Sequence, residues 1–188
     1  AIAGTAKNTA HDFLFTKTLN EAITSDPAWE NGSYKEPNAV HEGLRRHADL
    51  WSVMGYSTEM FQQELWRDIG FASPNEFCEG FTQAYFAPMD PNNLLCLAWK
   101  WQRGDVSRMT GGDLEAALGR ITAKMYVMPI NTDMFFPPKD CEDNQKMVAN
   151  SELRVINTSW GHLGLLGMDP LYIEQVDRHL EELLTIPV

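Results

Sequence analysis

The spacing of hydrophobic and polar positions divides the chain into two regions of different texture. From about residue 11 to about residue 119, apolar residues recur at the period of amphipathic helices, for example at Phe15, Leu19, Ala22 and Ile23. From about Ile121 onward, short continuous apolar runs alternate with helical patterns. The sequence therefore predicts a helical region followed by alternating strands and helices.

Start and stop signals place the boundaries of the predicted helices. Ser25-Asp26-Pro27 ends the first helix, because the residue before a proline avoids helical backbone angles. Asn38 is predicted to cap a second helix that reaches about Val53, and Ser57 to cap a third. The remaining start signals, each an N-cap residue beside Pro or Gly, are Ser73-Pro74, Asp90-Pro91 and Gly111-Gly112-Asp113.

The C-terminal region predicts a parallel sheet. Met125–Ile130 and Leu153–Ile156 are short apolar runs typical of buried strands, and helices are predicted at Lys139–Asn150 and about 170–184. A strand, helix, strand, helix order implies parallel strands and the α/β class. The first six residues resemble the end of a further strand that runs into a loop.

Two polar residues follow the predicted strands at the positions where open α/β sheets bind ligands. Asp133 comes three residues after the first strand, and His162 follows the second strand. Since adjacent parallel strands lie about 4.8 Å apart, their loops can bring the carboxylate and the imidazole together. Such an Asp orients the imidazole, which can then act as a general base. A turn or capping role for each residue is the alternative.

The order Asp133 then His162 matches the acid–base half of the Ser, Asp, His order of α/β-hydrolases. The chain has no Gly-x-Ser-x-Gly, and its nearest match, residues 55–59, lacks the second Gly and has no strand before it. In this fold the nucleophile turn precedes the helical insertion. We therefore expect the nucleophilic Ser and the oxyanion-hole amides upstream of Ala1, and we expect this segment alone to be inactive.

Several further stretches resemble the homoserine O-acetyltransferase-like family of α/β-hydrolase fold proteins. They are residues 2–6, residues 21–29, Gly43-Leu44, residues 118–124, Asp133 with residues 136–138, and Gly161-His162. The resemblance implies a partial α/β-hydrolase fold that covers the C-terminal part of such a protein. It implies the end of a core strand and a loop at 1–10, a helical cap at 11–119, and the C-terminal βαβα part of the core at 120–188.

The resemblance implies acyl transfer or ester hydrolysis by a Ser-His-Asp mechanism. His162 would be the base and Asp133 would orient it, while the helical cap would cover a small-molecule acyl donor. The acceptor would be an alcohol or water, with no resident cofactor or metal; acyl-CoA is one donor the family allows, and the cap allows a homodimer. The alternative is a non-catalytic fragment or a binding or dimerisation module of α/β-hydrolase origin.

Two departures from the family concern the acceptor. Leu163 stands where the acetyltransferases have an acidic residue that helps to hold the substrate amine. Ala48 lies near the position of their carboxylate-binding Arg, while Arg45 and Arg46 lie a turn earlier. These departures predict a neutral acceptor, or water, in place of homoserine.

Composition and charge narrow the classes of partner. The 188 residues include 15 Lys and Arg against 26 Asp and Glu, a net charge of −11 that disfavours nucleic acid and anionic membranes. No apolar run approaches 18 residues, so no membrane span is expected. Cys78, Cys96 and Cys141 form no CxxC pair. They predict buried structural thiols in a reducing, cytoplasmic setting.

Overall fold

The computed structural model describes residues 1–186, and the chain forms two compact units. The helical unit consists of Asn8–Met54 and Phe61–Gly104. The sheet unit consists of Ala1–Lys7, Gly55–Met60 and the chain from Asp105 onward. Residues 55–60 and 105–119, which were predicted to be part of the helical cap, cluster with the sheet.

Short helices dominate the chain before the sheet. The α-helices there are α1 (Ala10–Thr24), α2 (His41–Gly55), α3 (Thr58–Gln62), α4 (Pro74–Phe77), α5 (Ala84–Phe86), α6 (Pro91–Trp101) and α7 (Leu114–Leu118). Turns of 3-10 helix cover Pro27–Gly32, Pro37–Val40, Leu65–Arg67 and Val106–Thr110, and a π-helical turn covers Cys78–Gln83. The sheet region follows with β1 (Met125–Val127), α8 (Pro138–Gln145), β2 (Ser151–Leu153), a 3-10 helix at His162–Leu166 and α9 (Pro170–Thr185).

Side-chain caps confirm most of the predicted helix starts. Ser73, Asp90 and Asp113 each accept a hydrogen bond from a backbone N–H in the first turn of the helix that follows. Asn38 is not an N-cap: it lies inside the 3-10 turn Pro37–Val40 that leads into α2. The reason is Pro37, whose ring sets φ for helical geometry one residue earlier than predicted.

The two strands pair in parallel, as predicted. Met125 is opposite Ser151 and Val127 is opposite Leu153. The predicted boundaries were wrong by a few residues, because Pro129 has no N–H to donate and interrupts the ladder, which continues as a single bridge between Ile130 and Ile156.

The predicted end of α8 was wrong by five residues. The helix predicted to end at Asn150 ends at Gln145, where Ser151 Oγ donates to the Gln145 carbonyl at 3.0 Å and satisfies the helix end.

At the other edge of β1, Ile2 forms a parallel bridge with Met128, and Ala3 N–H donates to the Met128 carbonyl at 3.0 Å. The first residues therefore extend the sheet, as their pattern predicted.

Each unit has its own buried core. In the sheet unit, residues of the strand region pack with Tyr172 of α9; this core comprises Ala3, Tyr126, Met128, Ile130, Ile156 and Tyr172. In the helical unit the core comprises Ile23, Val40, Leu44, Ala48, Phe86 and Leu94. Among residues 1–186, no helix combines the length and apolar character needed to cross a bilayer.

Candidate active site

Asp133 and His162 meet beyond the carboxyl ends of β1 and β2. His162 Nδ1 lies 2.8 Å from Asp133 Oδ2. The Asp133 side chain is fully buried, whereas 14% of the His162 side chain remains exposed. The predicted approach of the two groups is confirmed, and part of the His162 side chain remains exposed.

The Asp133 carboxylate is fully engaged by donors. Its Oδ1 accepts hydrogen bonds from the backbone N–H groups of Phe135, at 2.8 Å, and Phe136, at 3.1 Å. Since a carboxylate only accepts, the proton of the third bond lies on His162 Nδ1. In the neutral ring Nε2 then carries the lone pair, which is the tautomer that a general base requires.

Hydrogen bonds from Asn131 and Thr132 hold the loop after β1 against the loop after β2. Thr132 Oγ1 donates to the Thr158 carbonyl at 2.7 Å and accepts from Gly161 N–H at 3.1 Å. Asn131 Oδ1 accepts from Thr158 N–H at 2.9 Å. These contacts position the backbone on both sides of the Asp133–His162 pair, so the geometry does not depend on that one bond.

Two aromatic rings pack against the imidazole. Phe135 meets His162 edge-on, with ring centroids 5.1 Å apart, and Phe136 lies at 5.5 Å in a tilted arrangement. They follow Asp133 by two and three positions, so one turn supplies the carboxylate, its two N–H donors and the apolar walls. The walls restrict the rotation of the ring and limit access of water to the buried carboxylate.

Ser57, which completes the nearest match to a nucleophile motif, acts as a helix cap. Its Oγ accepts from Met60 N–H at 3.0 Å and donates to the carbonyl of Ser159. The side chain is buried, because only 3% of the residue is exposed. A hydroxyl held in this way is not poised for attack. Its contact with the loop of His162 has no local signal in the sequence, since the partners are about a hundred positions apart.

The cysteines divide by environment. Cys141 is buried beneath the site, with Sγ 3.6 Å from the carbonyl oxygens of Gly4 and Phe136. Burial raises the pKa of the Cys141 thiol to about 11, and the negative charge of Asp133 adds to the effect. Cys141 is thus a structural thiol, as predicted. The prediction was wrong for Cys96, which is exposed because it lies on the face of α6 opposite Leu94 and Ala98, and Cys78 is only half-buried.

Ala48, Arg45 and Arg46, the residues discussed for binding a substrate carboxylate, lie in the helical unit. Ala48 is fully buried, and Arg46 Nη2 donates to the Ala22 carbonyl at 3.1 Å. Arg45 pairs with Glu42 and Asp49 on the surface. Within residues 1–186, no group of three or more His, Cys, Asp or Glu side chains is arranged to hold a metal ion.

Known proteins resemble this chain over its whole length. No protein-family model matches. The ethyl acetate hydrolase of Pseudomonas veronii is 58% identical over 187 residues, which are 100% of this chain and 54% of that protein. The structure of the acetyl esterase MekB aligns with a TM-score of 0.98 at 58% identity, over 99% of this chain and 54% of that chain.

A more distant structure shares the fold. The homoserine O-acetyltransferase from Bacillus anthracis aligns with a TM-score of 0.83 at 17% identity, over 100% of this chain and 52% of that chain. This chain spans about half the length of the curated relatives it matches. Its fold is therefore that of the α/β-hydrolases, and its sequence resembles esterases of that fold.

Proposed function

We propose that this chain supplies the acid–base half of a Ser-His-Asp esterase that hydrolyses short acetate esters. The observation that carries the proposal is the 2.8 Å bond between His162 Nδ1 and the buried carboxylate of Asp133. The 58% identity to an ethyl acetate hydrolase supports the choice of substrate. The nucleophilic serine would come from a part of the protein beyond these 188 residues.

In the acylation half-reaction, the serine hydroxyl attacks the ester carbonyl carbon while His162 Nε2 takes its proton. Asp133 stabilises the imidazolium that results, because its charge lies against Nδ1–H. The tetrahedral intermediate collapses by breaking the bond to the alkoxy oxygen. His162 gives its proton to that oxygen, so the alcohol leaves neutral and an acetyl-serine remains.

The deacylation half-reaction repeats the proton transfers with water. His162 Nε2 takes a proton from water as the water oxygen attacks the acetyl carbon. The second tetrahedral intermediate then breaks the bond to serine, and the proton returns from His162 to the serine oxygen as acetate is released. Hydrolysis is favoured over transfer to homoserine because Leu163, which follows His162, offers no charge to a substrate amine.

The test uses the complete protein that contains this chain, with ethyl acetate as substrate. We expect His162→Ala and Asp133→Asn each to lower kcat by at least about 10³-fold, the scale of removing one triad member. His11→Ala is the matched control, because His11 is an exposed histidine of α1 in the helical unit. Activity of His162→Ala within tenfold of the parent would refute the proposal.

A further inference from the structure

Residues 55–60, hereafter the bracing segment, lie against the loop that carries His162, although they stand about a hundred positions earlier in the chain. Ser57 Oγ donates to the carbonyl of Ser159, and Ser159 Oγ donates to the carboxylate of Glu59 at 3.1 Å. The rings of Tyr56 and Trp160 meet edge to face with centroids 6.3 Å apart. The bracing segment thus contacts both residues that precede Gly161.

The backbone of the bracing segment also covers Gly161 itself. A Cβ on Gly161 would lie 2.5 Å from the Ser57 nitrogen, 2.9 Å from the Tyr56 carbonyl carbon and 3.0 Å from the Gly55 carbonyl oxygen. These are backbone atoms, which cannot rotate away as a side chain can. Gly161 further holds a φ of 72°, which side chains rarely permit. The closest contact between the bracing segment and the loop of His162 is therefore at Gly161, the residue directly before His162.

The orientation of Nε2 depends on more than the bond to Asp133. That bond holds the ring at Nδ1 only, so the ring can still tilt if the backbone of His162 moves. Thr132 holds this backbone from the side of β1, through Gly161 N–H. The bracing segment also holds the backbone of the His162 loop, because the buried hydroxyl of Ser57 donates to the Ser159 carbonyl.

We propose that Ser57 is a positioning residue for His162, because its bond to the Ser159 carbonyl aims Nε2 at the serine nucleophile. The inference rests on the proposed function, in which His162 moves protons to and from the reacting atoms. A displacement of about 1 Å in such a group can cost about 100-fold in rate. Because Nε2 acts in proton transfer, we expect the loss to fall on kcat and not on KM.

The experiment compares Ser57→Ala, Ser57→Thr and Ser73→Ala in the complete protein. Ser73 is the matched control, because it also caps a helix through its Oγ but lies in the helical unit at the start of α4. We expect Ser57→Ala to lower kcat for ethyl acetate about 10- to 100-fold with KM unchanged. Ser57→Thr, which keeps the hydroxyl, should restore most of the activity, and Ser73→Ala should match the parent.

A second ester separates positioning from a general loss of structure. Ethoxide needs a proton from His162 to leave, whereas p-nitrophenolate leaves without one. The comparison uses kcat/KM, which reports acylation only, because both esters form the same acetyl-serine. Ser57→Ala should therefore lose more kcat/KM on ethyl acetate than on p-nitrophenyl acetate, while a partly unfolded enzyme would lose both equally. Equal losses of kcat/KM on the two esters, or an unchanged kcat for ethyl acetate, would overturn the proposal.

A variant on the surface covers the case in which Ser57→Ala does not fold. Glu59→Ala removes the other bond to Ser159 from an exposed position, and we expect a smaller loss with the same preference for ethyl acetate. Unchanged activity of a folded Glu59→Ala would then contradict the idea that the bracing segment positions His162. The parallel His162→Ala variant distinguishes the two ideas: if it stays active, the proposed function fails; if it is inactive while folded Ser57→Ala is unaffected, only the positioning role fails.

Discussion

At the scale of single residues, the site depends on the missing side chain of Gly161 and on the hydrogen bonds of the Asp133 carboxylate. Gly161 has no side chain, and this lets the backbone of residues 55–57 approach within contact distance. Asp133 uses both carboxylate oxygens, with two N–H donors on one and His162 on the other. Substitutions at Gly161 and Asp133 should therefore have large effects.

Gly161→Ala should destabilise the protein more than Gly111→Ala. Both glycines have positive φ, but a Cβ at Gly111 would meet nothing within 4 Å, whereas one at Gly161 would overlap backbone atoms. Backbone strain costs Gly111→Ala about 1–2 kcal/mol, because Gly111 is in the left-handed helical region. Gly161, with φ of 72° and ψ of −157°, is in a region that essentially only glycine adopts, so Gly161→Ala should lose about 1–3 kcal/mol from strain and about 1–3 kcal/mol more from the overlap. Urea unfolding of the two variants measures the difference. Equal losses would show that the bracing segment yields easily.

At the scale of elements, helices are held by buried polar contacts as well as by apolar packing. His47 of α2 is an example in the helical unit, since its Nδ1 lies 3.3 Å from the Leu19 carbonyl and its Nε2 accepts from Trp51 Nε1 at 3.1 Å. Burial lowers the pKa of His47 to about 4, and the bond to the carbonyl opposes only part of this effect. His47 is therefore neutral in the folded protein at neutral pH.

This neutrality makes the stability of the helical unit sensitive to acid. Below pH 6.5 His47 is protonated in the unfolded chain, whereas in the folded protein it stays neutral until about pH 4. The free energy of unfolding therefore falls as the pH drops through that window. Between pH 7.5 and pH 5 the loss should be about 2 kcal/mol. Urea unfolding at both pH values checks it. His47→Gln should remove this part of the pH dependence, and identical pH slopes for parent and variant would contradict the assignment.

At the scale of the whole molecule, we predict the acyl acceptor from the charged side chains that could bind it. Leu163 is half-buried in the 3-10 helix that begins at His162, and Ala48 is fully buried in the helical unit. Neither can pair with the charged groups of an amino acid. The homodimer through the helical region stays a prediction.

The complete enzyme should therefore prefer water or a neutral alcohol to homoserine. Two missing charge-assisted hydrogen bonds are worth about 1.5–3 kcal/mol each, which amounts to about two to four orders of magnitude in discrimination. A competition between homoserine and ethanol for the acetyl group measures it. Leu163→Asp should raise transfer to homoserine and Leu163→Asn, which has the same shape without the charge, should not. A strong preference of the parent for homoserine would contradict this reading.

Local chemistry in the sequence predicted the features that depend on neighbours a few positions away. Ser73, Asp90 and Asp113 cap helices because each hydroxyl or carboxylate reaches an N–H within its own first turn. The parallel pair of strands follows from the order of strands and helices. Asp133 and His162 could be paired in advance because parallel strands end at the same edge of a sheet.

Only the tertiary structure decided what depends on distant backbone. Pro129 interrupts the ladder because it has no N–H to donate to the neighbouring strand. Residues 55–60 cluster with the sheet and not with the helical region. In the sequence Ser57 is a helix cap and Gly161 is a loop glycine; the structure joins them in one contact beside His162. Such contacts arise from the packing of segments about a hundred residues apart, and no periodicity or spacing along the chain encodes that packing.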